Sequence, residues 1–214
     1  MSRTMLKNGL LLALFALICT ALVAVVNSQT KDRIKAQEQL QLQKILHQIV
    51  PDEIHDNELS EHCTLVHDPV VFGTDDALPA YLATRDGKPV ALAIETQAPD
   101  GYNGAIRLII GVDMQGKVLG IRTLSHQETP GLGDKIELAK SPWVLAFTGK
   151  PYSQEEDENW QVKKDGGEFD QFTGATITPR AYLKAARTTL AWLETNRESL
   201  FRQALHCDEE KGHE

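Results

Sequence analysis

The sequence has 214 residues, and its 30 acidic and 22 basic residues give a formal net charge of −8 at pH 7. No basic stripe is available to neutralise a phosphate backbone, so this charge argues against nucleic acid as a partner. Once a membrane segment is set aside, the remaining length accommodates one domain with a core of its own, or one domain with an appendage.

An uncharged, apolar segment near the N-terminus predicts a membrane anchor. Residues 8–30 carry no charge, and 9–26 are almost all apolar, which at about 1.5 Å per residue is long enough to cross a bilayer. A cleaved signal peptide would have an apolar region of about 7–15 residues ending in a small-x-small site, whereas Val25-Val26-Asn27 stands here. A lipoprotein would need a small residue before Cys19, where Ile18 stands. We therefore expect an uncleaved anchor.

The orientation of the anchor rests on the short segment that precedes it. Basic residues flank both ends, with Arg3 and Lys7 before the anchor and Lys31 and Arg33 after it, so the positive-inside bias is weak. A short N-terminal tail is most easily left in the cytoplasm. We therefore expect a single-pass protein of the cell inner membrane, with tail and anchor in 1–30 and the rest on the periplasmic side.

Residues 31–50 carry apolar side chains at roughly helical spacing until Pro51 ends the run, which predicts a stalk helix. An amphipathic helix that packs on the domain is the favoured reading over a partner-binding coiled coil. Together with the polar segment that follows, the stalk forms the region 31–85. This region contains four histidines whose spacings of eight, seven and five match no metal-ligand pattern, and we expect no metal there: His47, His55, His62 and His67.

The middle of the chain predicts an antiparallel sheet. A first strand is expected at 63–66, and two hairpins follow, made of the strand pairs 80–84 with 89–96 and 106–112 with 118–124. Helices are expected later, at about 135–139, at 143–147 and after Pro179. Because strands come first and helices later, we predict an α+β fold in which helices cover one face of the sheet.

The segment Asp170-Gln-Phe-Thr-Gly-Ala-Thr-Ile-Thr-Pro-Arg180 places hydroxyl groups at the start of the last helix. Thr178 followed by Pro179 predicts an N-cap with proline at the first helical position, and the helix then runs to about Arg197 with Leu183, Ala186, Leu190 and Leu193 on one face. Thr176 would lie just outside this N-terminus, a place suited to a phosphate because free N–H groups and the helix dipole meet there.

These residues resemble the Asp-x-x-(Ser/Thr)-Gly-Ala-Thr signature of FMN-binding domains. Three further stretches, Asp100-Gly-Tyr-Asn-Gly-Ala-Ile106, Glu128-Thr-Pro-Gly-Leu-Gly-Asp-Lys135 and Lys163-Lys-Asp-Gly-Gly167, are similar to the G subunit (RnfG) of the Rnf (or Rsx) ion-translocating electron-transport complex. The resemblance extends from the membrane segment to about residue 195. The C subunit of the sodium-pumping NADH:quinone reductase shares the flavin signature but is usually a longer chain.

The resemblance implies a site for covalently bound FMN, one per chain. Thr176 would be esterified to the FMN phosphate by a dedicated flavin transferase that uses FAD, and the loop 128–134 would cradle the isoalloxazine ring. Tyr102 would line the phosphate and ribityl end, and one of the nearby basic residues, such as Lys163, would face the phosphate. The other cofactor-binding residues it implies are Thr173, Gly174, Ala175, Glu128, Thr129, Gly131 and Leu132.

Structural readings of the same stretches remain open. The loop could simply end in Asp134 as the cap of a helix at Lys135, the turn after Asp100 could only feed a strand, and the basic residues could be a solvated face. Other chemistries lack their motifs. Ile136 stands where a dinucleotide fingerprint needs its third glycine, no P-loop or Gly-x-Ser-x-Gly elbow occurs, and three cysteines without Cys-x-x-Cys argue against iron–sulfur or zinc sites built by this chain alone.

The expected function is that of a membrane-anchored electron-transfer subunit with covalent FMN, working with other membrane and redox subunits in a redox-driven ion-translocating complex. The FMN-binding domain would span 86–203, with an acidic tail at 204–214. A membrane-bound flavin redox sensor and a structural subunit without flavin are the alternatives. In an oxidising compartment, we expect the two cysteines outside the membrane, Cys63 and Cys207, to form a disulfide rather than remain free.

Overall fold

The computed structural model describes residues 2–207. The predicted anchor and stalk form one continuous helix, α1, Ser2–Ile49, which by length and composition can cross a membrane. The chain divides into two compact units, Met1–Leu42 and a second that begins at Gln43, so only the last turns of α1 belong to the second unit. The predicted acidic tail lies outside the described residues from Asp208 onward.

Five antiparallel strands form one sheet in the second unit, and each pairs with the next along the chain. The predicted first strand and both predicted hairpins are therefore confirmed. The strands are β1 (Cys63–Val66), β2 (Leu78–Arg85), β3 (Lys88–Ala98), β4 (Ile106–Asp113) and β5 (Val118–Ser125), and a short helix, α2 (Pro69–Phe72), connects β1 to β2.

A long helix, α3, Ile177–Leu200, packs on one face of this sheet. The Thr189 hydroxyl of α3 donates to that of Thr96 in β3 over 2.9 Å, and both side chains are buried. The four apolar residues predicted to share a face of this helix, Leu183, Ala186, Leu190 and Leu193, are all buried in the main core. The α+β class is confirmed.

The predicted start of α3 is wrong. Thr178 is not the N-cap; the residue before the helix is Thr176, and Thr178 lies within the first turn. Pro179 fits there because first-turn N–H groups have no partner inside the helix, so a residue without N–H loses no helical bond. The Thr178 hydroxyl instead contacts Glu128, outside the helix.

Between β5 and α3 the chain forms only short 3₁₀ helices among the described residues. The α-helix expected at 135–139 is a 3₁₀ helix at Gly133–Ile136, with no side-chain cap from Asp134. The helix expected at 143–147 is also 3₁₀, at Pro142–Phe147, where the Ser141 hydroxyl accepts from the N–H of Trp143 over 3.2 Å. Two further 3₁₀ helices lie at Gln154–Asn159 and Lys163–Asp165.

The end of α1 packs against the face of the sheet opposite α3, so the favoured reading of the stalk, a helix that packs on the domain, holds for its last turn. Gly111 of β4 and Gly120 of β5 are paired across the sheet, and a Cβ on Gly111 would overlap Cγ2 of Ile49. Ile49 is buried, and Nε of Arg122 donates to the Gln48 side chain over 3.3 Å. The two glycines thus make room for the last turn of α1.

The predicted disulfide is present. Cys63 at the start of β1 is bonded to Cys207, with 5.0 Å between the two Cα atoms. The N–H of His206 donates to the carbonyl of Cys63 over 2.7 Å beside it. The segment that follows α3 is therefore fastened to the first strand of the sheet.

Candidate functional site

The segment with the flavin signature, 170–176, is a tight turn anchored on the aromatic core. The N–H of Ala175 donates to the carbonyl of Phe172 over 3.2 Å. The buried Phe172 ring lies 5.0 Å from that of Trp143, and Trp143 Nε1 donates to the carbonyl of Asp170 over 2.7 Å. The turn is therefore fixed from the inside, while both of its threonines are exposed.

Thr176 is the residue directly before α3, with helical dihedral angles of φ −83° and ψ −19°. Its exposed side chain makes no capping hydrogen bond to the helix. The N–H groups of the first turn have no partner within the helix and present the positive end of its dipole beside this hydroxyl. The position therefore combines a free hydroxyl with the anion-binding end of a helix.

Glu128 connects three segments of the site through one buried carboxylate. The side chain is 4% exposed; Oε1 accepts from the N–H of Asn103 over 3.1 Å, and Oε2 accepts from the hydroxyl of Thr178. Its own N–H donates to Nδ1 of His126 over 3.0 Å, and Nε2 of that ring donates to Glu137 over 2.7 Å. The turn before β4, the loop after β5 and the start of α3 are thereby held in a fixed relation.

These three segments surround a cleft of about 400 Å³, a volume typical of small-molecule sites. Leu132, Ala175 and the exposed ring of Tyr102 contribute apolar surface. Gly174 has a φ of +82°, which glycine adopts without strain, and a Cβ there would already lie 3.4 Å from Leu132 Cδ2. An apolar lining beside a helix N-terminus fits a ligand with a flat ring and a phosphate, as FMN has.

Seven of the ten predicted site residues line this cleft: Tyr102, Glu128, Thr129, Leu132, Gly174, Ala175 and Thr176. The other three do not line it. Thr173 lines a neighbouring cavity of about 450 Å³ beside Trp143, and Gly131 lies in the turn closed by the Gly133 N–H and the Thr129 carbonyl, 3.0 Å apart. Nζ of Lys163 pairs with Asp170 over 2.6 Å.

Gly133 also lines the cleft, as expected for a residue of the loop 128–134, whereas sequence reasoning missed two lining residues, Ile177 and Thr178. The sequence could have indicated Ile177, because an apolar side chain at the exposed start of a helix does not pack in the core and is a candidate for contact with a ligand. It could not have indicated Thr178, because the role of Thr178 depends on Glu128, which lies 50 positions earlier in the chain.

Three cations near the signature, Lys163, Arg180 and Lys184, are already paired with carboxylates, whereas Lys135 Nζ lies 6.0 Å from the centre of the Phe172 ring. Arg180 binds Asp165 through two hydrogen bonds of 2.6 and 3.0 Å and donates to the Thr176 carbonyl over 3.3 Å. The bonds from Arg180 lower the pKa of the Asp165 carboxyl. Lys184 pairs with Asp100 over 2.5 Å. The backbone N–H groups that begin α3, by contrast, are free to bind a phosphate at Thr176.

Comparisons with known proteins identify the family of this chain. A model of the RnfG N-terminal region matches residues 1–49, and a model of the FMN-binding domain matches residues 101–191. The G subunit of the ion-translocating oxidoreductase complex of Shewanella amazonensis is 64% identical over 97% of this chain and 97% of its own length. Its counterpart from Vibrio vulnificus is 57% identical over 94% of this chain and 95% of its own. The chain therefore belongs to the RnfG family, the G subunits of ion-translocating oxidoreductase complexes, and it carries an FMN-binding domain.

Proposed function

We propose that this chain is an electron-transfer subunit of an ion-translocating oxidoreductase complex, and that its FMN is held by a phosphoester to Thr176. The observation that carries the proposal is the exposed, uncommitted Thr176 hydroxyl at the N-terminus of α3, beside a cleft with an apolar lining. FMN supplies the redox chemistry, since it accepts and releases electrons one at a time. The protein supplies attachment, orientation and surroundings.

Each part of the cleft has a role in this proposal. The N–H groups that begin α3 would bind the phosphate, because the neighbouring Lys163 and Arg180 already face carboxylates. Leu132, Ala175 and Tyr102 would contact the flavin. Glu128 contributes indirectly, by keeping the loop after β5 against the start of α3.

Formation of the ester requires a partner and a co-substrate. A flavin transferase using FAD would join the Thr176 oxygen to the phosphorus of the FMN moiety, break the phosphoanhydride bond of FAD and release AMP, with the hydroxyl proton passing to a base of the transferase. The exposure of Thr176 supports this step, because the hydroxyl has to enter the active site of another protein.

The proposed location is the cell inner membrane, with α1 as a single-pass anchor and the sheet unit on the periplasmic side, in contact with the other membrane and redox subunits. In that arrangement 1–30 is the tail and anchor, 31–85 the stalk with the first part of the soluble region, and 86–203 the flavin domain. Covalent attachment suits an extracytoplasmic carrier, because FMN lost from it would not be replaced from a cytoplasmic pool.

The test is to replace each threonine of the signature in turn. We expect Thr176→Ala to abolish flavin fluorescence of the denatured protein in a gel, and Thr176→Ser to restore it because the hydroxyl returns. Thr173→Ala is the matched control, since Thr173 lies in the same turn but lines a different cavity, and it should keep covalent flavin. A flavin-bearing peptide recovered by mass spectrometry from Thr176→Ala would overturn the assignment.

A further inference from the structure

Three potential metal ligands meet at the end of α1, and none of them lines the flavin cleft. His47 lies in the last turn of the helix, Asp52 begins a 3₁₀ helix at Asp52–Ile54, and His55 follows that helix. His47 Nδ1, Asp52 Oδ1 and His55 Nε2 all lie within 4.8 Å of one another. Nδ1 of His47 contacts Asp52 Oδ1 directly, and Nε2 of His55 is 3.8 Å from the same oxygen.

The ring of His55 has an unused, buried nitrogen directed at this cluster. Its Nδ1 is 2.9 Å from the Asn57 carbonyl, an oxygen that can only accept, so Nδ1 carries a proton. In the neutral ring, Nε2 then presents a lone pair. This side chain is only 6% exposed, and among the described side chains of residues 3–207 Nε2 is the one buried nitrogen or oxygen without a hydrogen-bond partner. A buried polar atom of this kind needs a partner that the protein itself does not supply.

The segment that carries His55 is held firmly in place by the end of β2. Asn57 Nδ2 donates to the Leu82 carbonyl over 2.8 Å, and its Oδ1 accepts from the N–H of Thr84 over 2.7 Å. The N–H of Asp56 donates to the Thr84 carbonyl over 2.9 Å. Because Asn57 in turn fixes the His55 ring, the ring has the orienting contact that metal-binding histidines usually have.

We propose that His47, Asp52 and His55 bind a Zn²⁺ ion. Two imidazoles and one carboxylate form a common zinc ligand set, whereas Ca²⁺ and Mg²⁺ prefer oxygen ligands alone. At bond lengths of about 2.0–2.2 Å, tetrahedral ligand atoms lie roughly 3.4 Å apart, so small rotations of the two exposed side chains, His47 and Asp52, complete the geometry. Their exposure leaves the fourth position open to water.

The spacings of the four histidines and the small number of cysteines gave no sign of this site. Only two of those histidines belong to it, and the third ligand is an aspartate. The ion would join the last turn of α1 to the segment that leads into the sheet, within the unit that begins at Gln43. Its expected effect is to stabilise the contact between the last turn of α1 and this segment.

The test uses the full-length protein in detergent, with any affinity tag removed and metal stripped by a chelator. Titration with Zn²⁺ alone, followed by calorimetry, should give one equivalent of binding. His47→Ala and Asp52→Asn should each weaken it by at least about tenfold, as loss of a ligand or its support does. His67→Ala, an exposed histidine outside the cluster, should leave binding unchanged. Both ligand variants change exposed side chains, so the folded unit should persist. All variants should contain the same amount of covalent flavin, which separates this test from the test of the flavin site.

Substitution of Co²⁺ reports the coordination directly. A four-coordinate Co²⁺ complex absorbs visible light much more strongly than a six-coordinate one, so the unmodified protein should give an intense band that Asp52→Asn reduces. Zn²⁺ should also raise the melting temperature of the unmodified protein and not that of His47→Ala. Equal affinity in all four proteins, or no binding by the unmodified protein, would overturn the proposal.

Discussion

Thr178→Val isolates the hydrogen bond that joins the start of α3 to the loop after β5. Thr178 is 1% exposed, and its hydroxyl donates to the buried carboxylate of Glu128. Valine has nearly the same shape and is also β-branched, so the substitution removes the donor without opening a cavity or changing helix propensity much. The buried carboxylate keeps only the N–H of Asn103 among its described partners.

The expected cost follows from the charge of the acceptor. A hydrogen bond to a charged group contributes about 1.5–3 kcal/mol, compared with about 0.5–1.5 kcal/mol for a neutral pair. We therefore expect Thr178→Val to lower the free energy of unfolding by about 2 kcal/mol. With an m value of about 2 kcal/mol per molar urea, the unfolding midpoint would fall by roughly 1 M.

The same helix offers a matched control. Thr189 is fully buried in α3, and its hydroxyl donates to the neutral Thr96 hydroxyl over 2.9 Å. Urea unfolding of the full-length protein, followed by tryptophan fluorescence, should show a larger loss for Thr178→Val than for Thr189→Val. A double-mutant cycle with Glu128→Gln should show coupling between positions 128 and 178. Equal losses in the two valine variants together with no coupling would refute the reasoning.

Two further properties follow from the structure. Reduction of the Cys63–Cys207 bond, which spans 144 positions, should lower the free energy of unfolding by up to about 5 kcal/mol in the chain-entropy model. The Cys19→Ser variant should respond to reduction in the same way. An unchanged urea midpoint in the presence of reductant would contradict this prediction. Burial raises the pKa of Tyr182 above its usual range. The neutral Tyr182 side chain therefore stabilises the fold fully below about pH 10, and above that pH the free energy of unfolding falls by about 1.4 kcal/mol per pH unit, because the phenol ionises more readily in the unfolded chain. Tyr182→Phe should make this alkaline slope shallower in flavin-free protein, and Tyr102→Phe, at an exposed ring, should not; identical slopes for both would count against the assignment.

Local patterns were sufficient to predict the sheet. Each hairpin is marked by two short runs of mostly apolar residues on either side of a turn with Asp and Gly, and both hairpins form where these signals place them. The buried face of α3 follows from its helical spacing in the same way. Such features depend on residues a few positions apart, which is the distance over which propensity and periodicity carry information.

Three other features of the fold were not predictable from the sequence. The Thr-Pro pair at 178 and 179 has the composition of a helix start, yet the helix begins earlier because a first turn tolerates proline at more than one position. Stretches of four to six residues, such as Gly133–Ile136 and Pro142–Phe147, are too short for periodicity to distinguish an α-helix from a 3₁₀ helix. The sequence favoured packing of the stalk on the domain but not the face it covers, because Gly111 and Gly120 are brought together only by the strand register.

Three threonines close together in the chain, Thr173 and Thr176 of the flavin signature and Thr178 of α3, illustrate what the structure adds to the sequence. Their side chains are chemically identical, so composition alone cannot choose among them. Thr178 is buried and already donates to Glu128, and Thr173, although exposed, lies by a different cavity. Thr176 alone of the three combines an exposed hydroxyl, a place in the cleft lining and the position just before α3. Selectivity for Thr176 would then arise from burial and helix position, and a variant that moved the start of α3 should change which hydroxyl is available.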